Sequence, residues 1–175
     1  MNANLEQPQP GNKSNGSRII LGIDVGTSGV RGVIVEVLDN SENPSGETNI
    51  IETVRAAHSV SMTLPSRNPS SKASTQNPEV WLRAFKALFE ALSDSPYFSK
   101  IQHIVADATS STVLLVSAEH HPLTDALMYD DQQATQQVQT IAQVIEENGY
   151  QTAATGPSST LAKVLFLLDD LRQNA

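Results

Sequence analysis

Leu21-Gly22-Ile23-Asp24-Val25-Gly26-Thr27-Ser28-Gly29-Val30-Arg31 is the stretch whose reading decides the fold. An apolar strand, Arg18 to Asp24, runs into an aspartate. A tight turn of Gly26, Thr27, Ser28 and Gly29 follows, and a second strand runs from Gly29 to Leu38. Ile19, Ile20, Leu21 and Ile23 make an almost continuous apolar run, which suits a central strand covered on both faces. The two turn glycines open backbone angles closed to other residues, so the chain can fold straight back. Successive N–H groups in such a turn face one concavity, which suits an anion. Thr27 and Ser28 add hydroxyl donors. Asp24, at the strand end, is placed to hold a Mg²⁺ ion, usually through water, because that hard cation keeps its hydration shell. The plain alternative is an ordinary two-strand hairpin with small turn residues, since short glycine motifs have many false matches.

Composition sets the frame around this stretch. The chain has 175 residues, enough for one domain with a core. A net charge of −8 argues against a nucleic-acid binder, which usually carries a basic face. There is no cysteine, hence no disulfide, thiol nucleophile or cysteine metal site. No apolar run reaches the roughly 18 residues that span a bilayer. No membrane partner is therefore expected, and without a secretory signal the expected compartment is the cytoplasm. Residues 1–17 are mostly Asn, Gln, Pro, Gly and Ser with almost nothing apolar, and they read as a disordered tail ahead of one domain, residues 18–175.

Outward from the opening pair, Asp39 to Thr48 reads as a turn and Asn49 to Met62 as a third strand, completing an antiparallel meander. Leu64 to Gln76 reads as a polar loop. Asn77 caps a helix opened by Pro78, with Trp81, Ala84, Phe85, Leu88 and Leu92 on one face. Ile101 to Ala106 is a short strand ending at Asp107, and Thr112 to Ser117 another. His120 and His121 are adjacent, so in a strand they would point to opposite faces, and they read as solvated turn residues. Gln132 to Asn148 reads as a helix stopped by Gly149. Ser158 or Ser159 caps a last helix with Leu161, Val164, Leu165 and Leu168 as its stripe. This order predicts an α/β fold of ribonuclease H-like layout, a mixed sheet with helices on both faces. Such sheets bind ligands at the carboxyl ends of strands, where Asp24 and Asp107 stand.

Gly22 to Ser28 resembles the first phosphate motif of the actin, Hsp70 and sugar kinase superfamily. Four later segments, in order, resemble the FGGY carbohydrate kinases, and leave actin and Hsp70 aside. Gln76-Asn77-Pro78-Glu79-Val80-Trp81 is similar to the family's Gln-Asp-Pro-Glu-x-Trp. Val105 to Leu115, with Asp107-Ala108-Thr109-Ser110-Ser111, is similar to its Asp-Gly-Thr-Ser stretch and leans towards ribulose and xylulose kinases. Pro122-Leu123 followed by Met128-Tyr129-Asp130-Asp131 matches a third segment, and Thr155 to Leu168, with Gly156, Ser159 and Lys163, a fourth.

The resemblance implies an incomplete N-terminal kinase domain of the actin-like ATPase superfamily, using ATP and Mg²⁺ to phosphorylate a sugar hydroxyl, of a ketopentose such as ribulose or xylulose. It implies Asp24 at the metal and Gly26, Thr27 and Ser28 at the phosphate. Asp131, Asp107 and Thr109 would face the sugar. Two departures accompany it. Gln132 and Gln133 stand where many members have Arg after the sugar-binding Asp. The family's general base and adenine pocket lie downstream, so no catalytic base is expected in this chain. These 175 residues alone are then expected to be inactive, and the missing C-terminal half as a separate chain becomes a candidate partner. The alternative is a non-catalytic remnant or partner module of that family.

Overall fold

The structure is a computed structural model that describes residues 17–40, 49–152 and 155–174. The expected tail lies outside the described residues apart from Ser17, as do residues 41–48 of the expected turn. In chain order the elements are β1 (Ser17–Val25), β2 (Gly29–Asn40), β3 (Asn49–Ser61), β4 (Ser66–Asn68), β5 (Ala73–Gln76), α1 (Glu79–Ser93), β6 (His103–Ala108), β7 (Ala126–Leu127), α2 (Thr135–Asn148) and α3 (Thr160–Asn174). A short 3₁₀ turn at Phe98–Lys100 leads into β6.

The opening meander forms as its sequence dictates. β1 pairs with β2 and β2 with β3, both antiparallel, and β6 joins β1 in parallel, giving the order β3-β2-β1-β6. Along β1 the side chains alternate: Ile19, Leu21 and Ile23 are buried and Asp24 is exposed. Those three pack with Val30 and Ile34 against Ala84, Leu88 and Leu92 of α1. Burying Leu88 and Leu92 contributes roughly 1.5–3 kcal/mol for each side chain. The helix begins where the capping signal puts it, with the Asn77 side chain accepting the Glu79 N–H at 2.8 Å. Trp81 is only half-buried and stands outside the buried core.

The fold class is the one expected, a mixed sheet with helices, and the layering is one-sided among the described residues. α1 covers one face of the main sheet. α2 and α3 instead pack on each other through Ala134, Ile141 and Ala162. The continuous apolar run of β1 therefore has one covered face, and Val54, Ile104 and Val105 are exposed.

Local departures have local causes. The polar stretch 64–76 folds into the hairpin β4–β5, whose turn uses Asn68 Oδ1 as acceptor for the Ser70 and Ser71 N–H groups, and β5 then pairs with β7. The stretch 112–117 makes only isolated bridges, Val113 to Leu127 and Val116 to Pro122. The second helix starts three residues late, because Asp131 Oδ1 holds the Gln133 N–H that would open it. It ends as predicted, on Gly149 at φ 66°. In α3 the stripe turns: Ala162, Lys163 and Leu167 are buried and Leu161 is exposed.

Gly26 and Gly29 do not take left-handed angles; among the described glycines only Gly149 does. Gly29 is required for a different reason. A Cβ there would stand 2.6 Å from the Val60 carbonyl oxygen, against backbone that cannot yield. At Gly32 a Cβ would meet only the mobile ends of Leu88 and Leu92, the nearest at 2.9 Å. Gly29→Ala is therefore expected to cost about 1–3 kcal/mol, as overpacking does, and Gly32→Ala less. Urea unfolding midpoints of the two variants check this order.

Candidate functional site

β6 lies on β1 in a register that sets Asp107 beside Asp24, one strand spacing apart, about 4.8 Å. On the other side of Asp24, Arg31 of β2 is its antiparallel partner, and Ser59 of β3 is the partner of Arg31. The row Asp107, Asp24, Arg31, Ser59 thus runs across four strands on the face that α1 leaves open. It lines a depression of about 710 Å³ whose floor includes Gly22, Val33 and Val105. Arg31 Nη1 donates to Asp24 Oδ2 at 2.9 Å, and both side chains are more than half exposed. In that setting the pair contributes little to stability. Asp107 Oδ1 accepts the N–H of Ala108 at 2.9 Å.

The turn after β1 closes with the Gly26 N–H donating to Gly29 O at 2.9 Å, so Gly26 spends its donor inside the hairpin. Met62 N–H donates to Ser28 O, and Gln76 Nε2 reaches Thr63 O at 2.6 Å and Thr27 O at 3.5 Å. Among the described residues the N–H groups of Thr27 and Ser28 find no backbone or side-chain acceptor. Thr109 is anchored on the same strand end: its N–H and its hydroxyl both donate to Val25 O, at 3.2 and 3.4 Å.

Asp131 stands apart from this row. It is fully buried and lines none of the depression. Its Oδ2 accepts the Ser74 N–H at 2.7 Å and Gln133 Nε2 at 2.8 Å, and its Oδ1 accepts the Gln133 N–H at 3.1 Å. Beside it Asp130 accepts two hydrogen bonds from Arg67. Burial pushes the Asp130 carboxyl up, but the Arg67 guanidinium that donates to it outweighs this and holds the group below its ordinary value. Lys163, also fully buried, donates from Nζ to Met128 O at 2.6 Å and to Ser111 O at 2.8 Å. Its burial lowers the pKa, against the opposing charges of Asp131 and Asp130.

The structure thus brings Asp24, Asp107 and the Thr27–Ser28 turn to one end of the sheet, with Thr109 next to them, and sets Asp131 in a separate buried junction. Arg31, Gln76 and Lys163 are polar residues in or beside these places to which sequence reading attached no role. For the last of them the signals were its place in the family-like segment Thr155 to Leu168 and its position as a lysine inside the apolar run 161–168. His120 and His121 are exposed in their turn, and no set of three or more candidate metal ligands converges among the described residues.

No protein-family model matches the chain. Solved structures do. A xyloylose kinase from Brucella ovis matches with a TM-score of 0.67 at 20% identity, over 89% of this chain and 30% of that one. The ligand-bound xylulose kinase from Lactobacillus acidophilus matches with a TM-score of 0.58 at 18% identity, over 89% of this chain and 29% of that one. Plasmodium falciparum glycerol kinase with ADP matches with a TM-score of 0.57 at 15% identity, over 90% and 30%. The chain therefore has the fold of the N-terminal part of these carbohydrate kinases, and spans about 30% of their length.

The two carboxylates differ in what they hold together. Asp24→Ala is expected to change stability by less than about 1 kcal/mol, because its ion pair is exposed. Asp131→Ala leaves the Ser74 N–H and the Gln133 donors without their buried acceptor, and is expected to cost roughly 1–3 kcal/mol. Chemical denaturation of both variants measures the difference. Asp130 adds a pH test. Its folded pKa is depressed, so its contribution is present above the unfolded pKa of about 3.9 and is lost as pH falls through the lower folded value. The gap in stability between wild type and Asp130→Asn, followed from pH 7 to pH 2, is expected to close only below about pH 4.

Proposed function

We propose that this chain is the N-terminal part of an ATP-dependent carbohydrate kinase, one that phosphorylates a hydroxyl of a small polyol, with a ketopentose such as ribulose or xylulose as the sugar. The observation that carries the reading is the pair Asp24 and Asp107, held side by side at the carboxyl ends of β1 and β6 next to a turn with two unengaged N–H groups. Open α/β sheets place their ligands at such strand ends. Solved structures that share this fold include ones named as xylulose, gluconate and glycerol kinases.

In this reading the Thr27 and Ser28 N–H groups and hydroxyls donate to the terminal phosphate of ATP, and Gly26 keeps the turn narrow. Two adjacent carboxylates fit Mg²⁺, which takes one or two protein oxygens and fills its octahedron with water and phosphate. Bound there, the ion would neutralise phosphate charge. Asp24 and Asp107 would hold it, and Arg31 would give up its hold on Asp24 to a phosphate oxygen. Thr109, tied to Val25 O, sets the sugar side of the cleft beside Asp107. Asp131 reaches a sugar hydroxyl where that hydroxyl replaces the Gln133 amide on Oδ2.

Phosphoryl transfer rests on positioning and charge neutralisation. In a protein that joins this segment to the remaining domain, Asp24→Ala is expected to lower kcat at least about 100-fold, the scale of losing one preorganised electrostatic group, while sugar KM changes less than about threefold. Steady-state kinetics with D-xylulose and D-ribulose test it, and near-normal kcat would remove Asp24 from the site. The 175 residues alone are expected to show no sugar-dependent ADP release with ribulose, xylulose or glycerol, since a general base supplies about 10²–10⁴-fold and the family's base lies downstream. Turnover above background that Asp24→Ala abolishes would reveal a base within these residues.

A further inference from the structure

We propose that Lys163 is the positioning residue of the sugar side of the site: its buried ammonium pins the bend at Ser111 to the Met128–Asp131 turn, and so fixes where Thr109 and Asp131 stand relative to one another. The proposal rests on the kinase reading for what the two residues do, and on the structure alone for what holds them. Lys163 lies in the first turns of α3, where a cation opposes the helix dipole, and its side chain is fully buried. An apolar side chain of similar volume would fill the place without desolvating a charge. The lysine is accounted for by what it joins.

Its Nζ donates to Met128 O and to Ser111 O. Met128 O also accepts the Asp131 N–H at 2.9 Å, so one carbonyl closes the aspartate's turn and receives the ammonium. Ser111, two residues beyond Thr109, sits at φ 55°, a left-handed angle that a residue with a Cβ holds only when its surroundings fix it. Lys163 on its carbonyl and Thr160, whose Oγ1 lies 3.2 Å from Ser111 Oγ, are those surroundings. The charged groups acting on the ammonium are Asp131 and Asp130. Arg67 pairs with Asp130, and the three donors on Asp131 are neutral, so of the two carboxylates acting on Lys163 it is Asp131 that has no cation of its own.

The test uses the uniformly labelled 175-residue chain and two independent arms. In the first, the Lys163 side chain is titrated by NMR in wild type, Asp131→Asn and Asp125→Asn. Removing the Asp131 charge disfavours the ammonium, so the Lys163 midpoint is expected to fall in Asp131→Asn and to stay put in Asp125→Asn, an exposed loop control. An unmoved midpoint in Asp131→Asn overturns the proposal. In the second arm the Thr109, Ser111 and Asp131 amides are followed during titration with xylitol and D-xylulose. Lys163→Met is expected to keep its helical spectrum and to bind at least about tenfold more weakly, a factor worth about 1.4 kcal/mol. A folded Lys163→Met that binds as wild type does also overturns it. If wild type binds neither polyol, the sugar reading fails by itself. The first arm then decides whether Lys163 holds the turn, as it does if Lys163→Met does not fold.

Discussion

The parallel pairing of β6 on β1 is the constraint on which the rest of this structure depends. It runs from Ile20 with His103 to Val25 with Ala108, and a slip of one residue would send Asp107 to the opposite face from Asp24. The register is held at both ends. Near the start of β1, the Gln102 N–H donates to Ile19 O at 2.9 Å; past its end, Thr109 puts two donors on Val25 O. Nothing in the side chains of β6 itself enforces it, since all six residues are exposed. The buried partner in the pair is β1, clamped between β2 on one edge and β6 on the other and pressed on α1 by Ile19, Leu21 and Ile23. Hydrophobic burial on one face of the sheet therefore sets the geometry of a polar row on the other.

That division explains why so much of the fold was legible. The meander, α1 and its Asn77 cap, the strand before Asp107 and the Gly149 stop are each written in local signals: apolar periodicity, a capping side chain, a left-handed glycine. The errors fall where a long-range hydrogen bond overrides a local pattern. The polar stretch 64–76 has no apolar alternation, yet it pairs because β5 finds β7 fifty residues away. The start of α2 is delayed by a carboxylate that takes its first N–H for itself. The α3 stripe is displaced because a lysine occupies a core position.

The same reasoning separates the site residues. Asp24 and Asp107 could be read from strand ends, and the structure puts them together. The conformational part of the turn reading does not hold, since Gly26 and Gly29 keep ordinary angles, while the turn's two unengaged donors emerge only from the hydrogen-bond pattern. Asp131 was legible as an acidic residue in a motif and not as a buried one. Its environment is built by Ser74, Gln133 and, through Met128, Lys163, which no spacing rule connects.

A phosphate-binding turn can be tested on the chain itself. Amide NMR of residues 1–175 titrated with Mg²⁺ and a non-hydrolysable ATP analogue, which keeps the terminal phosphate, reads Thr27 and Ser28 directly. Saturable downfield shifts at those two amides, lost in Asp24→Ala, are the result that a kinase-type site at this sheet end requires. Unmoved Thr27 and Ser28 amides at millimolar nucleotide would contradict it and leave the β1–β2 turn an ordinary hairpin.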